Sequence, residues 1–220
     1  LSGLARCGFV GGSVECRTSN EGIFPAQLTD VKAGIRYLKA MSERYHIDTE
    51  RFGVMGESAG GYLAAMAALA NDPAFDVGAF TEFSSKVQAA CPWYPPTDLT
   101  AFPYPSPVEA AASMESLLLG KNVALYQEEA LKISPVSYVT KDAPPFLIIH
   151  GDNDHTVPFA QGEILHDRLE EAGADVKLLV LDGADHADMP FFQEELWQRI
   201  ISFFQEKLGS AKRVERVREE

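Results

Sequence analysis

Apolar runs and helical patterns alternate along most of the chain. Runs in which nearly every residue is apolar predict strands buried on both faces of a sheet, and they occupy residues 9–15, 51–56, 87–93, 144–150 and 176–181. Between them, apolar residues recur every three or four positions, which predicts helices over 26–45, 59–70, 161–172 and 190–208. This alternation predicts an α/β fold with a mostly parallel sheet flanked by helices on both faces.

One segment departs from the alternation. Residues 92–127 are rich in proline and aromatic side chains, and we interpret them as a short cap-like insertion over one end of the sheet. Residues 1–209 are predicted to form one α/β domain, since a chain of 220 residues suits a single hydrophobic core. The remaining residues, 210–220, carry charges of both signs and are predicted to be a charged tail.

Composition and charge narrow the classes of partner. The formal net charge is −13, and an acidic surface repels phosphate backbones, so no nucleic-acid partner is expected. No apolar run approaches the ~20 residues of a membrane span, and residues 1–12 lack the features of a signal peptide. The three cysteines have no disulfide-type spacing, which favours reduced thiols and a cytoplasmic location.

The segment Gly56-Glu57-Ser58-Ala59-Gly60 matches the pattern G-x-S-x-G. It joins a predicted strand to a predicted helix, which is the setting that the motif requires. A tight turn at this point exposes the serine hydroxyl, and glycines two positions before and after it relieve the crowding. Ser58 is therefore the candidate nucleophile, and the N–H of Ala59 at the helix start is the candidate oxyanion donor.

A serine nucleophile needs a base, and an acid must orient that base. After G-x-S-x-G the chain order is acid and then histidine. Asp154 lies in the turn after the strand at 144–150, and His186 lies in the loop after the strand at 176–181. Parallel strands share one carboxyl edge, so both side chains are expected beside Ser58. Asp152 is the alternative acid, although bracing of the turn is the favoured explanation for this residue.

These residues predict acyl transfer without a cofactor. The sequence has no Cys/His spacing for zinc and no phosphate-binding loop, so neither a metal nor another cofactor is predicted. Glu57, Trp93 and Tyr94 are predicted to contact a small-molecule ester substrate. Packing of the insertion onto the sheet is the alternative for both aromatic residues, and also for Tyr104.

Taken together, the motifs resemble the α/β-hydrolase esterases of the hormone-sensitive-lipase-like and feruloyl-esterase-like (BD-FAE type) branches. The resemblance covers about residues 4–208. It rests on Arg17, on Phe24-Pro25-Ala26-Gln27 with Asp30, on the Gly56 to Gly61 motif, on Pro96-Thr97-Asp98-Leu99, on the His150 to Pro158 turn and on the His186 loop. It implies a carboxylic ester hydrolase acting on short-chain acyl or aryl esters through an acyl-enzyme. An amidase or peptidase with the same triad is the alternative.

The chain departs from this family in one respect. Members carry His-Gly-Gly-Gly or a similar run before the first helix, whose N–H groups complete the oxyanion hole, and no such run is present. The first three strands of the family's fold also lack a counterpart, so the resemblance implies an N-terminally truncated fold. Loss of one oxyanion donor costs ~10²–10³ in rate. We therefore expect the chain as given to be weakened or inactive, and a non-enzymatic homologue is a further alternative.

Overall fold

A single parallel sheet organises the computed structural model, which describes residues 2–209. Its order is β1-β2-β3-β4, and the strands are β1 (Gly53–Glu57), β2 (Ala89–Trp93), β3 (Phe146–Gly151) and β4 (Val176–Leu181). The register places Glu57 opposite Trp93, and Trp93 opposite Ile149. Because the strands are parallel, their carboxyl ends lie along one edge, where the loops carry the candidate residues.

Helices connect and flank these strands. In chain order they are α1 (Ser2–Arg6), α2 (Ala26–Ala40), α3 (Ser42–Tyr45), α4 (Ala59–Leu69), α5 (Pro107–Ala111), α6 (Met114–Leu119), α7 (Gln127–Lys132), α8 (Ala160–Glu171) and α9 (Glu194–Leu208). Short 3-10 segments occupy Pro73–Phe75, Pro135–Tyr138 and Met189–Phe192. Of the helices in the described range, none combines the length and the apolar character needed to cross a membrane.

The two faces of the sheet are covered by different helices. Successive side chains of a strand point to opposite faces, and β3 shows this directly. Phe146 and Ile148 lie in an apolar cluster with residues of α2, α4 and α8, whereas Leu147 and Ile149 lie in a second cluster with α9. All six residues of β3 are buried. The predicted α/β fold, with helices on both faces of a parallel sheet, is therefore confirmed.

The prediction of a strand over 9–15 is wrong. The segment is largely exposed, and none of its residues belongs to a strand or a helix in the described part of the chain. It packs on two helices instead: the ring of Phe9 lies 6.3 Å from that of Phe204 in α9, and Val14 lies against Gly34 of α2. An apolar run becomes a strand only where a neighbouring strand accepts its hydrogen bonds.

Two of the predicted helices are interrupted. The predicted helix over 26–45 divides at Met41 into α2 and α3, and it ends at His46 in the left-handed conformation (φ 55°). The predicted helix over 190–208 begins as a 3-10 turn, and α9 starts only after Gln193, whose ψ of 144° is extended. Apolar spacing identifies the buried face of both segments. It does not reveal that one non-helical residue interrupts each of them.

Pro92 and Trp93, the first two residues of the predicted insertion, are the last residues of β2. The remainder packs with α7 around a third apolar cluster, which contains Leu99, Ala110, Val123, Ala130 and Ile133. Buried Gln161 of α8 ties this layer to the sheet, since its Oε1 accepts the N–H groups of Thr97 and Asp98, each at 2.8 Å. Whether 1–209 is one domain remains a prediction, and the predicted tail at 210–220 lies outside the described residues.

Helix α2 buries three cations beside its apolar residues, Lys32, Arg36 and Lys39, and the first two share one carboxylate. The side chains of Lys32 and Arg36 are 0% exposed, and Asp76 lies 3.5 Å from the Lys32 ammonium and 2.8 Å from the Arg36 guanidinium. Burial opposes ionisation of Asp76, but hydrogen bonding to Ser85 and the two cations hold the pKa of Asp76 below its ordinary value. One carboxylate therefore compensates two buried positive charges.

Candidate active site

The turn between β1 and α4 holds Ser58 in a strained conformation. Its φ of 52° and ψ of −117° lie in a region that residues other than glycine rarely adopt. A Cβ on Gly56 would overlap the carbonyl oxygen of Gly60 and lie 2.5 Å from its carbonyl carbon. A Cβ on Gly61 would lie 2.6 Å from the carbonyl oxygen of Trp93, whereas one on Gly60 would meet no atom within 4 Å. The close backbone contacts of this turn therefore require glycine at positions 56 and 61, rather than at positions 56 and 60.

Ser58, His186 and Asp154 form a continuous hydrogen-bonded chain. The Oγ of Ser58 lies 3.0 Å from Nε2 of His186, and Nδ1 of His186 lies 2.8 Å from Oδ2 of Asp154. Because a carboxylate only accepts hydrogen bonds, Nδ1 carries the proton and Nε2 is left to accept the serine O–H. The structure thus brings together the three residues for which the sequence predicts catalytic roles.

Several donors hold the Asp154 carboxylate in place. Its Oδ1 accepts the N–H groups of Thr156 and Val157, both at 2.8 Å. Nε2 of the fully buried His150 lies 2.9 Å from the carbonyl oxygen of Val157 and 3.5 Å from Oδ2 of Asp154. Burial favours the neutral acid, but His150, His186 and the two N–H groups together hold the pKa of Asp154 below its ordinary value. The carboxylate is therefore ionised near neutral pH.

Tyr94 lies behind the histidine. Its ring centroid is 4.5 Å from that of His186 in an edge-on arrangement, and its hydroxyl donates to Oε2 of Glu57 at 2.8 Å. Burial, followed by the hydrogen bond and charge of Glu57, raises the pKa of Tyr94 well above its ordinary value. The tyrosine therefore stays neutral and links the residue before the nucleophile to the imidazole.

The three predicted substrate contacts differ in exposure. Glu57 is exposed beside Ser58. Trp93 is 1% exposed and packs on Phe191 and Trp197 within the α9 face of the core, so it offers no surface for a substrate. Tyr94 is 0% exposed, which places it against His186 rather than in a pocket lining. Tyr104 stacks on Phe102 in the third apolar cluster.

The candidate oxyanion donor lies at the start of α4. Ala59 is the first helical residue and is exposed, and the N–H groups of a first turn have no acceptor within their own helix. The N–H of Ser58 is already donated to the carbonyl of Trp93 at 3.0 Å. The N–H of Ala59 therefore remains the candidate oxyanion donor.

Backbone strain is concentrated around this site. Among the described residues, five that are not glycine have positive φ, and three of these are Ser58, Tyr94 (35°) and Ala187 (54°). They are the nucleophile, the tyrosine behind the base and the residue after the base. Strain of this kind persists only where the surrounding structure enforces it, and it clusters at functional sites.

Other candidates from the sequence take supporting positions. Oδ1 of Asp152 accepts the N–H of Gly183 at 2.6 Å, so this residue connects two loops and leaves Asp154 as the partner of His186. On α8, ligand atoms of His166, Asp167 and Glu170 lie within 4.8 Å of one another. That group is largely exposed, and exposed acidic groups of this kind are common without a metal.

One residue at the site was missed by sequence reasoning. Asp185 accepts the backbone N–H of His186 at 2.7 Å and that of His155 at 2.9 Å. A signal was present, because the dipeptide Asp-His occurs at 154–155 and again at 185–186. Nothing in the spacing indicates that the two dipeptides meet.

Several known proteins similar to this chain are named as esterases. The BD-FAE family profile matches residues 1–169. The probable carboxylic ester hydrolase LipM of Mycobacterium tuberculosis is 31% identical over 194 residues, which are 88% of this chain and 43% of LipM. Esterase LipQ of the same organism is 35% identical over 201 residues, which are 85% of this chain and 44% of LipQ. The chain therefore spans less than half the length of these curated relatives.

Solved structures show the same likeness. A structure described as a truncated form of a carbohydrate esterase from gut microbiota superposes with a TM-score of 0.87 at 31% sequence identity. The match covers 93% of this chain and 76% of that chain. The two chains therefore share an α/β-hydrolase fold over nearly all of the chain described above.

Proposed function

Because the chain belongs to the BD-FAE family of α/β-hydrolases, we propose that it is a carboxylic ester hydrolase with Ser58, His186 and Asp154 as its catalytic triad. Its substrates are small-molecule esters with short acyl or aryl groups. The observation that carries the proposal is the hydrogen-bonded chain from the Ser58 hydroxyl through His186 to Asp154. The names of LipM, LipQ and the carbohydrate esterase support an ester as the bond that is cleaved.

In the first half-reaction, Ser58 Oγ attacks the ester carbonyl carbon while Nε2 of His186 accepts the hydroxyl proton. The carbonyl oxygen becomes an oxyanion, which the N–H of Ala59 stabilises. Asp154 stabilises the imidazolium that forms, because its carboxylate is fixed 2.8 Å from Nδ1. The tetrahedral intermediate collapses, and Nε2 returns the proton to the departing alcohol. The product is an acyl-enzyme on Ser58.

In the second half-reaction, water takes the position of the alcohol. His186 accepts a proton from the water, whose oxygen attacks the acyl carbonyl. Collapse of the second tetrahedral intermediate returns the proton to Ser58 Oγ and releases the carboxylic acid. We propose that exposed Glu57, beside the nucleophile, contacts the substrate. Buried Tyr94 holds the Glu57 carboxylate through the hydrogen bond that its hydroxyl donates.

Hydrolysis of p-nitrophenyl acetate tests the proposal, with Ser58→Ala as the control for background hydrolysis. Because the family's His-Gly-Gly-Gly-type run has no counterpart in the sequence, we expect weak activity. That activity should be lost in Ser58→Ala, and a fluorophosphonate probe should label Ser58 covalently. Acetylated sugars and aryl esters should then be compared at equal concentration to rank acyl and alcohol groups. A folded chain that neither hydrolyses the ester nor reacts with the probe at Ser58 would refute the proposed activity.

A further inference from the structure

Two Asp-His dipeptides face each other across the loops that follow β3 and β4. The acid of each contacts the histidine of the other: Asp154 lies 2.8 Å from Nδ1 of His186, and Asp185 lies 3.1 Å from Nδ1 of His155. The first contact belongs to the proposed triad and is largely buried. The second is at the surface, where the His155 and Asp185 side chains are 71% and 48% exposed.

The Asp185 carboxylate also binds the backbone of both loops. Its Oδ1 accepts the N–H of His155 at 2.9 Å and the N–H of His186 at 2.7 Å. His155 directly follows the triad acid, and His186 is the triad base itself. One oxygen atom thus fixes the backbone on both sides of the hydrogen bond between Asp154 and His186.

The backbone contacts, rather than the exposed contact between the two side chains, give this arrangement its strength. A solvent-exposed side-chain pair contributes little by itself, whereas N–H groups that donate to a carboxylate form short, charge-assisted hydrogen bonds. The N–H groups of His155 and His186 lower the pKa of Asp185 to about 2. Asp185 therefore stays ionised over the range in which an esterase works.

We propose that Asp185 is a positioning residue that sets the spacing between the Asp154 turn and the His186 loop. With this spacing fixed, the imidazole spans from Asp154 to Ser58. His155 holds the carboxylate in the orientation that reaches both N–H groups. The inference rests on the proposed esterase function and adds to it a residue that acts through the two loops.

Four variants of the full chain test this role. Asp185→Ala removes both acceptor oxygens, and Asp185→Asn keeps one oxygen that can accept both N–H groups. His155→Ala removes only the side-chain contact. Asp182→Ala is the matched control, because Asp182 is an exposed carboxylate in the same loop.

Two measurements separate positioning from simple stability. The first is kcat and KM for p-nitrophenyl acetate, together with the rate at which a fluorophosphonate labels Ser58. The second is the downfield proton NMR signal of the Nδ1–H that His186 donates to Asp154, which needs no turnover. If the unmodified protein neither hydrolyses nor labels, the esterase proposal fails, while the NMR signal still tests the role of Asp185.

In Asp185→Ala we expect kcat and the labelling rate to fall about tenfold to a hundredfold, with little change in KM, because small displacements of catalytic groups have effects of this size. The downfield signal should weaken or vanish. Asp185→Asn should restore most of kcat, and Asp182→Ala should match the unmodified protein. If Asp185→Ala does not fold, His155→Ala should still lower kcat about threefold. Unchanged kcat and an unchanged downfield signal in Asp185→Ala, or in His155→Ala if it alone folds, would overturn the proposal.

Discussion

Adding one methyl group at Gly56 or at Gly60 should have opposite effects, although both glycines belong to the same five-residue motif. In Gly56→Ala the new Cβ would overlap the carbonyl oxygen of Gly60 and lie 2.5 Å from its carbonyl carbon. These neighbours are backbone atoms in the first turn of α4, so they cannot rotate away as a side chain would. In Gly60→Ala the new Cβ meets nothing within 4 Å.

The expected magnitudes follow from this difference. Overpacking costs about 1–3 kcal/mol, and the rigid neighbours place Gly56→Ala near the upper end. A loss of about 3 kcal/mol corresponds to a fall in Tm of about 6–12 °C for a protein of this size. Gly60→Ala should stabilise the protein by about 0.5 kcal/mol, because alanine loses less backbone entropy than glycine in a helix.

Urea unfolding followed by tryptophan fluorescence measures both free energies, and p-nitrophenyl acetate hydrolysis measures the effect on Ser58. Moving the Gly60 carbonyl must move the adjacent turn, so kcat of Gly56→Ala should fall about a hundredfold. Gly60→Ala should retain kcat. Equal destabilisation by the two substitutions, or an unaffected Gly56→Ala protein, would refute the steric reasoning.

Three further predictions concern buried charges and thiols. Asp76→Ala removes the one carboxylate shared by Lys32 and Arg36, and urea unfolding should show a loss of about 3 kcal/mol. Because the pKa of Asp76 is lowered in the folded protein, its contribution is present above the unfolded pKa and is lost as pH falls through the folded value. Asp154→Asn should keep the turn but lower kcat about 10⁴-fold, since an amide stabilises the wrong imidazole tautomer. Burial raises the pKa of Cys91 to about 12, so iodoacetamide should alkylate it only after unfolding, as mass spectrometry would show.

Each has a control. Asp142→Ala also removes one negative charge, but from a side chain that is 82% exposed, and it should leave the unfolding free energy unchanged. Cys7 and Cys16, which are partly exposed, should react before Cys91. An Asp76→Ala protein as stable as Asp142→Ala would contradict the shared-carboxylate account. Full activity in Asp154→Asn would remove Asp154 from the proposed triad.

The sequence predicts the strands and the catalytic motif best where a local pattern has one structural meaning. The apolar run at 176–181 coincides with β4 (Val176–Leu181), and the motif around Ser58 indicates its turn from five residues. The run at 9–15 fails because strand formation depends on a neighbouring strand, which no local pattern reports. In the same way, spacing cannot show that Asp185 reaches His155, because loop conformations bring them together.

Trp93 and Tyr94 show a second limit. They are adjacent aromatic residues at the end of β2, and composition alone treats them alike. Both residues lie in the apolar cluster on the α9 face of the sheet, and both rings contact Phe191. Tyr94, which follows the strand and has a positive φ, is the one whose ring also meets His186. Which aromatic residue reaches the site is therefore decided by the backbone after the strand, which composition does not report.

The conformation of Ser58 carries a consequence for protein engineering. A non-glycine residue with its φ of 52° and ψ of −117° costs the folded state about 1–3 kcal/mol, and glycine would occupy the turn without that cost. A selection for thermostability alone would therefore favour Ser58→Gly and discard the nucleophile. Any stabilisation campaign on this scaffold needs a simultaneous selection for turnover, because stability and reactivity compete at this one position.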